Sequence, residues 1–105
     1  MSVFYVLEGK EVVCVGDDVE LWSRRFELDN RQIGDDYIDS VRVSTVFMGV
    51  DHNFDPDGEP LLFETMIFGG RLDHSRSRCA TWAEAEAMHA EAVRLVRAGH
   101  LRVVK

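Results

Sequence analysis

Residues 41–70, VRVSTVFMGVDHNFDPDGEPLLFETMIFGG, decide the fold that we predict for this chain. Two runs rich in β-branched and aromatic residues flank an acidic turn that contains proline and glycine, which is the pattern of a long β-hairpin. This segment contains unusual polar residues: a short polar string follows the first strand, and a single glutamate lies within the apolar second strand. The candidate binding residues are therefore Asp51, His52, Asn53 and Glu64.

The N-terminal part of the chain predicts another hairpin followed by a helix. Residues 3–8 and 11–15 are strand-like, and Gly9 and Lys10 between them are typical of a two-residue turn. Apolar residues at helical spacing, preceded by an acidic capping sequence, then predict a first helix over about residues 18–28.

A second helix is predicted from Thr81 to Gly99, because Thr81 and Glu84 form a capping box before an apolar stripe. Three less regular segments complete the prediction: a short edge strand at 31–33, a surface loop at 71–80 and a final strand within 100–105. The element order is ββα-ββα. It indicates one α+β domain over residues 1–105, with an antiparallel sheet of two hairpins and two helices on one face.

The composition is that of a small acidic globular domain. The 105 residues carry a net charge of −7 and the arginines are scattered, so we expect no direct nucleic-acid binding, whereas an acidic surface suits docking on a basic protein partner. An export signal and a long apolar run are both lacking, so we expect a cytoplasmic protein without a membrane span. Cys14 is expected in the core and Cys79 in a polar loop, both as free thiols.

The long hairpin is apolar on both sides. Alternation along its first strand places Val43 and Phe47 on one face and Val46 and Met48 on the other. Two helices on one side leave the second face to the chain's own loops, to another protein or to a second copy of the chain. We expect a protein partner or a homodimer to use this open sheet face.

Three strings carry a resemblance to a known group of proteins. RVSTVFMGVDHNF, then PLLFETMIFGG, then the helix TWAEAEAMH resemble small uncharacterised proteins encoded in bacteriophage and prophage genomes, over roughly residues 41–96. The acidic turn DPDGE departs from the Gly- and Pro-rich connection of those proteins. The resemblance implies an accessory protein that acts inside a bacterial cell, and it assigns no activity, ligand or catalytic residue.

A calcium-loop pattern occurs in the turn of the long hairpin. Its oxygen ligands and glycine fall at the required spacing, but the first ligand is an asparagine, Pro60 takes the usual aliphatic position and the flanks are strands rather than helices. We therefore predict a hydrophilic turn without metal. The residues of this pattern are Asn53, Asp55, Asp57, Gly58 and Glu64.

Two Asp-His pairs, at 51–52 and 73–74, have the composition of a metal or acid–base site. They lie at opposite ends of the predicted hairpin, roughly 25 Å apart at about 3.3 Å per residue, so a joint site is not expected unless the 71–80 loop folds back. His89 falls within the apolar stripe of the second helix and is expected to be a hydrogen-bonded interface histidine. No metal, cofactor or catalytic residue is predicted.

Glu64 has two readings. On the helix-covered face it would be a buried acid with a raised pKa or a partner such as Arg25 or Arg42; on the solvent-facing side, which we favour, it would mark the polar face of the sheet.

The function predicted from these observations is a small acidic non-enzymatic protein that binds another protein, with inhibition of a host or phage nucleic-acid-processing or defence protein as one mode of action. The alternative is a small enzyme or metal-binding domain with a site around Asp51, His52 and Glu64.

Overall fold

The computed structural model describes residues 3–28, 30–51 and 57–103, the last four of these by their backbone alone. It is an α+β structure with a two-stranded and a four-stranded antiparallel sheet and two helices. The elements are β1 (Phe4–Glu8), β2 (Glu11–Gly16), α1 (Val19–Leu28), β3 (Gln32–Ile38), β4 (Val41–Phe47), β5 (Phe63–Phe68), β6 (Arg76–Cys79) and α2 (Trp82–Val103). Within the described residues, no helix is both long and apolar enough to cross a membrane.

Both predicted hairpins are confirmed. β1 pairs with β2 across Gly9, whose φ of 63° suits the tight turn. β4 pairs with β5 in a register that places Thr45 opposite Thr65. The alternation of β-branched and aromatic residues therefore identified four strands correctly.

The predicted ββα-ββα order and the single sheet are both wrong. The first hairpin forms a sheet of its own, and β3 and β6 extend the second hairpin to the order β3-β4-β5-β6, so that the element order is ββα-ββββα. The strand expected at 31–33 runs from Gln32 to Ile38, and the segment expected to be a loop at 71–80 contains β6. Both are polar edge strands. Pairing with a neighbour needs only backbone groups, and exposed charges are common at sheet edges, so sequence periodicity does not reveal them.

The two helices do not share one face of one sheet, which corrects the predicted arrangement. The helix α1 packs on the first hairpin, where the ring of Trp22 lies 4.8 Å from Phe4 and 4.6 Å from Phe26, measured between centroids. The two sheets meet where the backbone N–H of Tyr5 donates to the carbonyl of Gly49 at 2.9 Å. The aromatic residues of α1 therefore pack on β1 and, through Trp22, against Gly49, where the two sheets meet.

The helix α2 covers one face of the four-stranded sheet. Its predicted cap is confirmed, since the backbone N–H of Glu84 donates to the Thr81 hydroxyl at 3.2 Å. The alanines on the inner side of α2 pack against larger apolar side chains of the strands, and together they form the core. The main buried residues of this layer are Val43, Phe47, Leu62, Phe63, Ile67, Ala85, Ala92 and Val96.

Three local predictions are corrected by this packing. Residues 100–103 continue α2 past Gly99 instead of forming a strand, while Val104 and Lys105 lie outside the described residues. Cys79 is buried and Cys14 is exposed, the reverse of the expectation. Burial raises the pKa of the Cys79 thiol, which favours its inert, protonated form.

Candidate functional site

The face of the four-stranded sheet opposite α2 is the most distinctive surface of the described residues. We call it the open face. The register places one set of side chains on it and the opposite set under α2. The open face consists of Gln32, Asp35, Tyr37, Arg42, Ser44, Val46, Glu64, Met66, Phe68, Arg76 and Arg78.

One row of the open face alternates aromatic and cationic side chains. Tyr37, Arg42 and Phe68 lie side by side on β3, β4 and β5. The guanidinium carbon of Arg42 is 5.9 Å from the ring centroid of Tyr37 and 5.8 Å from that of Phe68, within the range of cation–π attraction. Tyr37 is 68% exposed and Phe68 is 39% exposed, so both rings offer apolar surface to a partner.

A neighbouring carboxylate holds the Arg42 side chain in place. The Nε of Arg42 donates to Oδ1 of Asp35 at 2.8 Å, and the Nη2 of Arg42 donates to Oδ2 of Asp35 at 3.1 Å. This bidentate contact lowers the pKa of Asp35, first through the hydrogen bond and then through the nearby charge. The contact thus orients Arg42 between the two rings in this structure.

Glu64 lies on the open face, in the orientation that we favoured from sequence, yet its side chain is only 13% exposed. It is paired, but not with Arg25 or Arg42, which bind Glu8 and Asp35. Its Oε1 lies 3.7 Å from Arg76 and 3.9 Å from Arg78, both on β6. These arginines could not be named as partners from sequence, because β6 itself was not recognised.

The open face differs in charge from the rest of the chain. It carries two carboxylates and three guanidinium groups, hence a charge of +1, whereas the whole chain carries −7. The remainder of the molecule is thus at −8. A mixed and slightly positive platform on an acidic protein is a local feature that the total composition conceals.

The other predicted binding residues are only partly described. The Oδ1 of Asp51 accepts a hydrogen bond from the backbone N–H of Leu61 at 2.9 Å and so helps to close the loop between β4 and β5. His52 and Asn53 lie outside the described residues, as does Asp55 of the calcium pattern. Within residues 3–28, 30–51 and 57–103, there is no group of three or more metal-ligating His, Cys, Asp or Glu side chains.

A polar chain crosses the core beneath α2. His89 is buried and hydrogen-bonded, as predicted. Its Nε2 lies 2.6 Å from Oδ2 of Asp36 and its Nδ1 lies 2.7 Å from the hydroxyl of Thr45, which in turn contacts the hydroxyl of Thr65. In the neutral tautomer that donates from Nε2 to the Asp36 carboxylate, Nδ1 accepts from Thr45 and Thr45 accepts from Thr65. The close fit requires Gly34, where an added Cβ would lie 2.7 Å from the imidazole.

This acid–imidazole–hydroxyl series has the order of groups found in hydrolytic triads, but its burial argues for a structural role. Thr45 is 0% exposed and Thr65 is 2% exposed, so a substrate cannot reach either hydroxyl in this structure. The network joins α2 to three strands. Sequence reasoning missed Thr45 and Thr65, although both interrupt apolar positions on the inward side of their strands.

A small cleft lies at the far end of the sheet, between two turns and the second half of α2. It measures about 250 Å³, which is below the usual size of a small-molecule site. Its walls are mainly aliphatic, and the described residues bring no cluster of catalytic groups to it. The lining includes Ile38, Val41, Leu72, Leu95 and Val96, with Arg71 beside them.

Comparison with known proteins gives no relative from which a function could be transferred. No family model, curated protein or solved structure matches this chain.

Proposed function

We propose that this chain is a non-enzymatic binding protein that docks on another protein through the open face. The observation that carries the proposal is the exposed row of Tyr37, Arg42 and Phe68, fixed by the contact between Arg42 and Asp35. An accessory role inside a bacterial cell, with inhibition of a host or phage protein, belongs to the same proposal and rests on the sequence resemblance.

The residue types in this row are those that dominate binding energy at protein interfaces. Tyrosine and arginine are enriched among interface hot spots, and phenylalanine and methionine are enriched in interface cores. Asp35 contacts one edge of the Arg42 guanidinium group, through Nε and Nη2, and this orients Arg42 and reduces the side-chain freedom that is lost on binding. A fixed and partly apolar platform favours recognition over chemistry.

The area of the open face is relevant to whether the partner is a second copy of the chain. Four strands at about 4.8 Å spacing, each about six residues long, give the open face roughly 400 Å². A standard interface buries about 800 Å² on each partner. The accessible area of a face with protruding side chains is larger than this flat footprint, so area fits both a homodimer and a different partner, and the crosslinking experiment below distinguishes them.

An enzymatic site around Asp51, His52 and Glu64 is the weaker proposal. The described part of that site gives Asp51 a loop-closing contact and Glu64 two arginine neighbours on the open face. The Tyr5 hydroxyl lies near Asp51, but burial, and then the nearby Cys14 and Asp51, raise the pKa of Tyr5, which favours its protonated form over a proton acceptor. The binding proposal uses more of the observed geometry.

Site-specific photocrosslinking tests the binding proposal. A photoreactive phenylalanine analogue is placed at Tyr37 or Phe68, and at the exposed Val19 of α1 as the control position. Crosslinking in bacterial lysate should give one heterologous protein adduct from the two open-face positions, and this adduct should disappear when the other aromatic residue of the row is changed to serine. Adducts confined to Val19, or none from either open-face position, would refute the proposal, whereas an adduct of twice the chain mass would identify a homodimer instead.

A further inference from the structure

The charges of the open face are not balanced along its two edges. On the β3 side, Asp35 and Arg42 satisfy each other with two hydrogen bonds. On the β6 side, Arg76 and Arg78 share one oxygen of Glu64 at 3.7 and 3.9 Å, too far for hydrogen bonds. The β6 edge therefore keeps an excess positive charge and guanidinium donors that Glu64 does not use.

An exposed aromatic ring lies beside this positive edge. Arg76 is directly opposite Met66, and Phe68 follows two residues later on the same face of β5. Diagonal neighbours of this kind are about 7–8 Å apart, which is within the reach of adjacent groups on one ligand. Arg76 is 56% exposed at its side chain and Arg78 is 31% exposed, so both are accessible.

We infer that the open face binds an extended acidic segment of a protein, with a carboxylate paired to Arg76 or Arg78 and an aromatic or aliphatic side chain packed on Phe68 and Tyr37. The inference rests on the proposed function and specifies the chemistry of the partner. Carboxylates are the natural bidentate acceptors for guanidinium groups. A flat, partly apolar row next to the arginines gives the segment its second anchor.

Charge separates this partner from two others. A basic segment would meet the unbalanced arginines, while both carboxylates of the open face already face arginines. A nucleic acid could use the same arginines and rings, but it carries a phosphate on every nucleotide and would be repelled by the charge of −8 on the rest of the chain. A peptide with one or two carboxylates brings much less charge to the acidic surroundings.

Selection from a library of random ten-residue peptides on the immobilised full chain tests this inference. We expect enrichment of peptides in which glutamate or aspartate adjoins an aromatic or aliphatic residue. The affinity of one enriched peptide, labelled with fluorescein, is then measured by fluorescence anisotropy. It should fall about tenfold or more for Arg76→Glu and for Phe68→Ser, as expected for interface hot spots, and it should weaken as salt is added.

A matched control isolates the local effect of charge. Arg97→Glu changes the net charge as Arg76→Glu does, but Arg97 is exposed on α2, on the other side of the sheet. It should leave peptide affinity within about twofold, since charges beyond about one Debye length are largely screened. Circular dichroism checks that each variant is folded. Equal losses for Arg76→Glu and Arg97→Glu would overturn the inference.

Two further results would overturn it. One is enrichment of lysine- and arginine-rich peptides, and the other is tighter binding of a single-stranded thymidine oligonucleotide than of any selected peptide. If either occurs while crosslinking still finds a protein on the open face, only the acidic-segment inference fails. If crosslinking at Tyr37 and Phe68 also finds no protein, the proposed function fails with it.

Discussion

Replacing Thr45 by valine should test the buried polar chain most directly. Valine keeps the shape of threonine but removes a hydroxyl that contacts Nδ1 of His89 and the hydroxyl of Thr65. In the tautomer assigned above, this hydroxyl donates to His89 and accepts from Thr65. Two hydrogen bonds are lost, each worth about 1 kcal/mol net, and two buried polar groups lose a partner. We expect Thr45→Val to lower the free energy of unfolding by about 2–4 kcal/mol.

The direction of the hydrogen bonds in this buried polar series predicts a smaller loss of stability for Thr65→Val. Thr65 lies at the end of the series, so its removal breaks one hydrogen bond and leaves Thr45 still donating to His89. We expect a loss of about 1 kcal/mol. In the double variant the hydroxyl of residue 65 is absent, so no buried donor is left there without an acceptor. The double variant should therefore be no less stable than Thr45→Val alone, and the two effects should not add.

Urea unfolding followed by circular dichroism measures all three variants. Ser77→Ala is the control, because it removes an exposed hydroxyl opposite Thr65 on β6 and should change stability by less than about 0.5 kcal/mol. A larger loss for Thr65→Val than for Thr45→Val would refute the assigned direction of the hydroxyls. Additive effects would show that the two hydroxyls do not act as a unit.

Further predictions concern packing, charge and metal. Gly34→Ala should cost about 1–3 kcal/mol in a urea melt, since the new methyl group would overlap the hydrogen-bonded ring of His89; a neutral effect would show that the ring can move away. Glu64→Gln and Glu64→Leu should each change stability by less than about 1 kcal/mol, because the two arginine contacts are long and the arginines can be resolvated; a large loss for leucine alone would indicate a tightly held carboxylate. The pKa of Asp35 is lowered in the folded chain, so its contribution is present at neutral pH and is lost as pH falls through that lowered pKa, below the ordinary 3.8. NMR titration of the Asp35 carboxyl group measures this, and Arg42→Gln should return the pKa toward its ordinary value. Calcium and a chelator should give the same melting temperature, because the turn between β4 and β5 is flanked by strands rather than by the helices of a calcium loop.

The candidate site could be predicted in part. The apolar alternation of the long hairpin indicated that one sheet face would lack a helix, and Glu64 was placed on that face. The row of Tyr37, Arg42 and Phe68 was not found, because it requires β3 to be a full strand in a particular register. A slip of one residue would turn Tyr37 to the opposite face, so the site depends on pairing as well as on composition.

The sequence by itself determined the elements whose signals are local. Alternating β-branched residues specify the two hairpins, Gly9 permits the first turn, and Thr81 with Glu84 begins α2. Each signal acts within a few residues of chain. These elements could therefore be recognised without knowing what they pack against.

Only the tertiary structure decided the polar edge strands, the sheet that each helix covers and the partners of the buried polar groups. Asp36 and His89 are 53 residues apart in sequence, and their contact exists because β3 joins the sheet beneath α2. Backbone pairing of polar strands leaves no periodic signature in side-chain type. The contacts of Glu64 with Arg76 and Arg78 likewise depend on the pairing of β6 with β5. Such contacts are set by strand register rather than by neighbouring residues in the sequence.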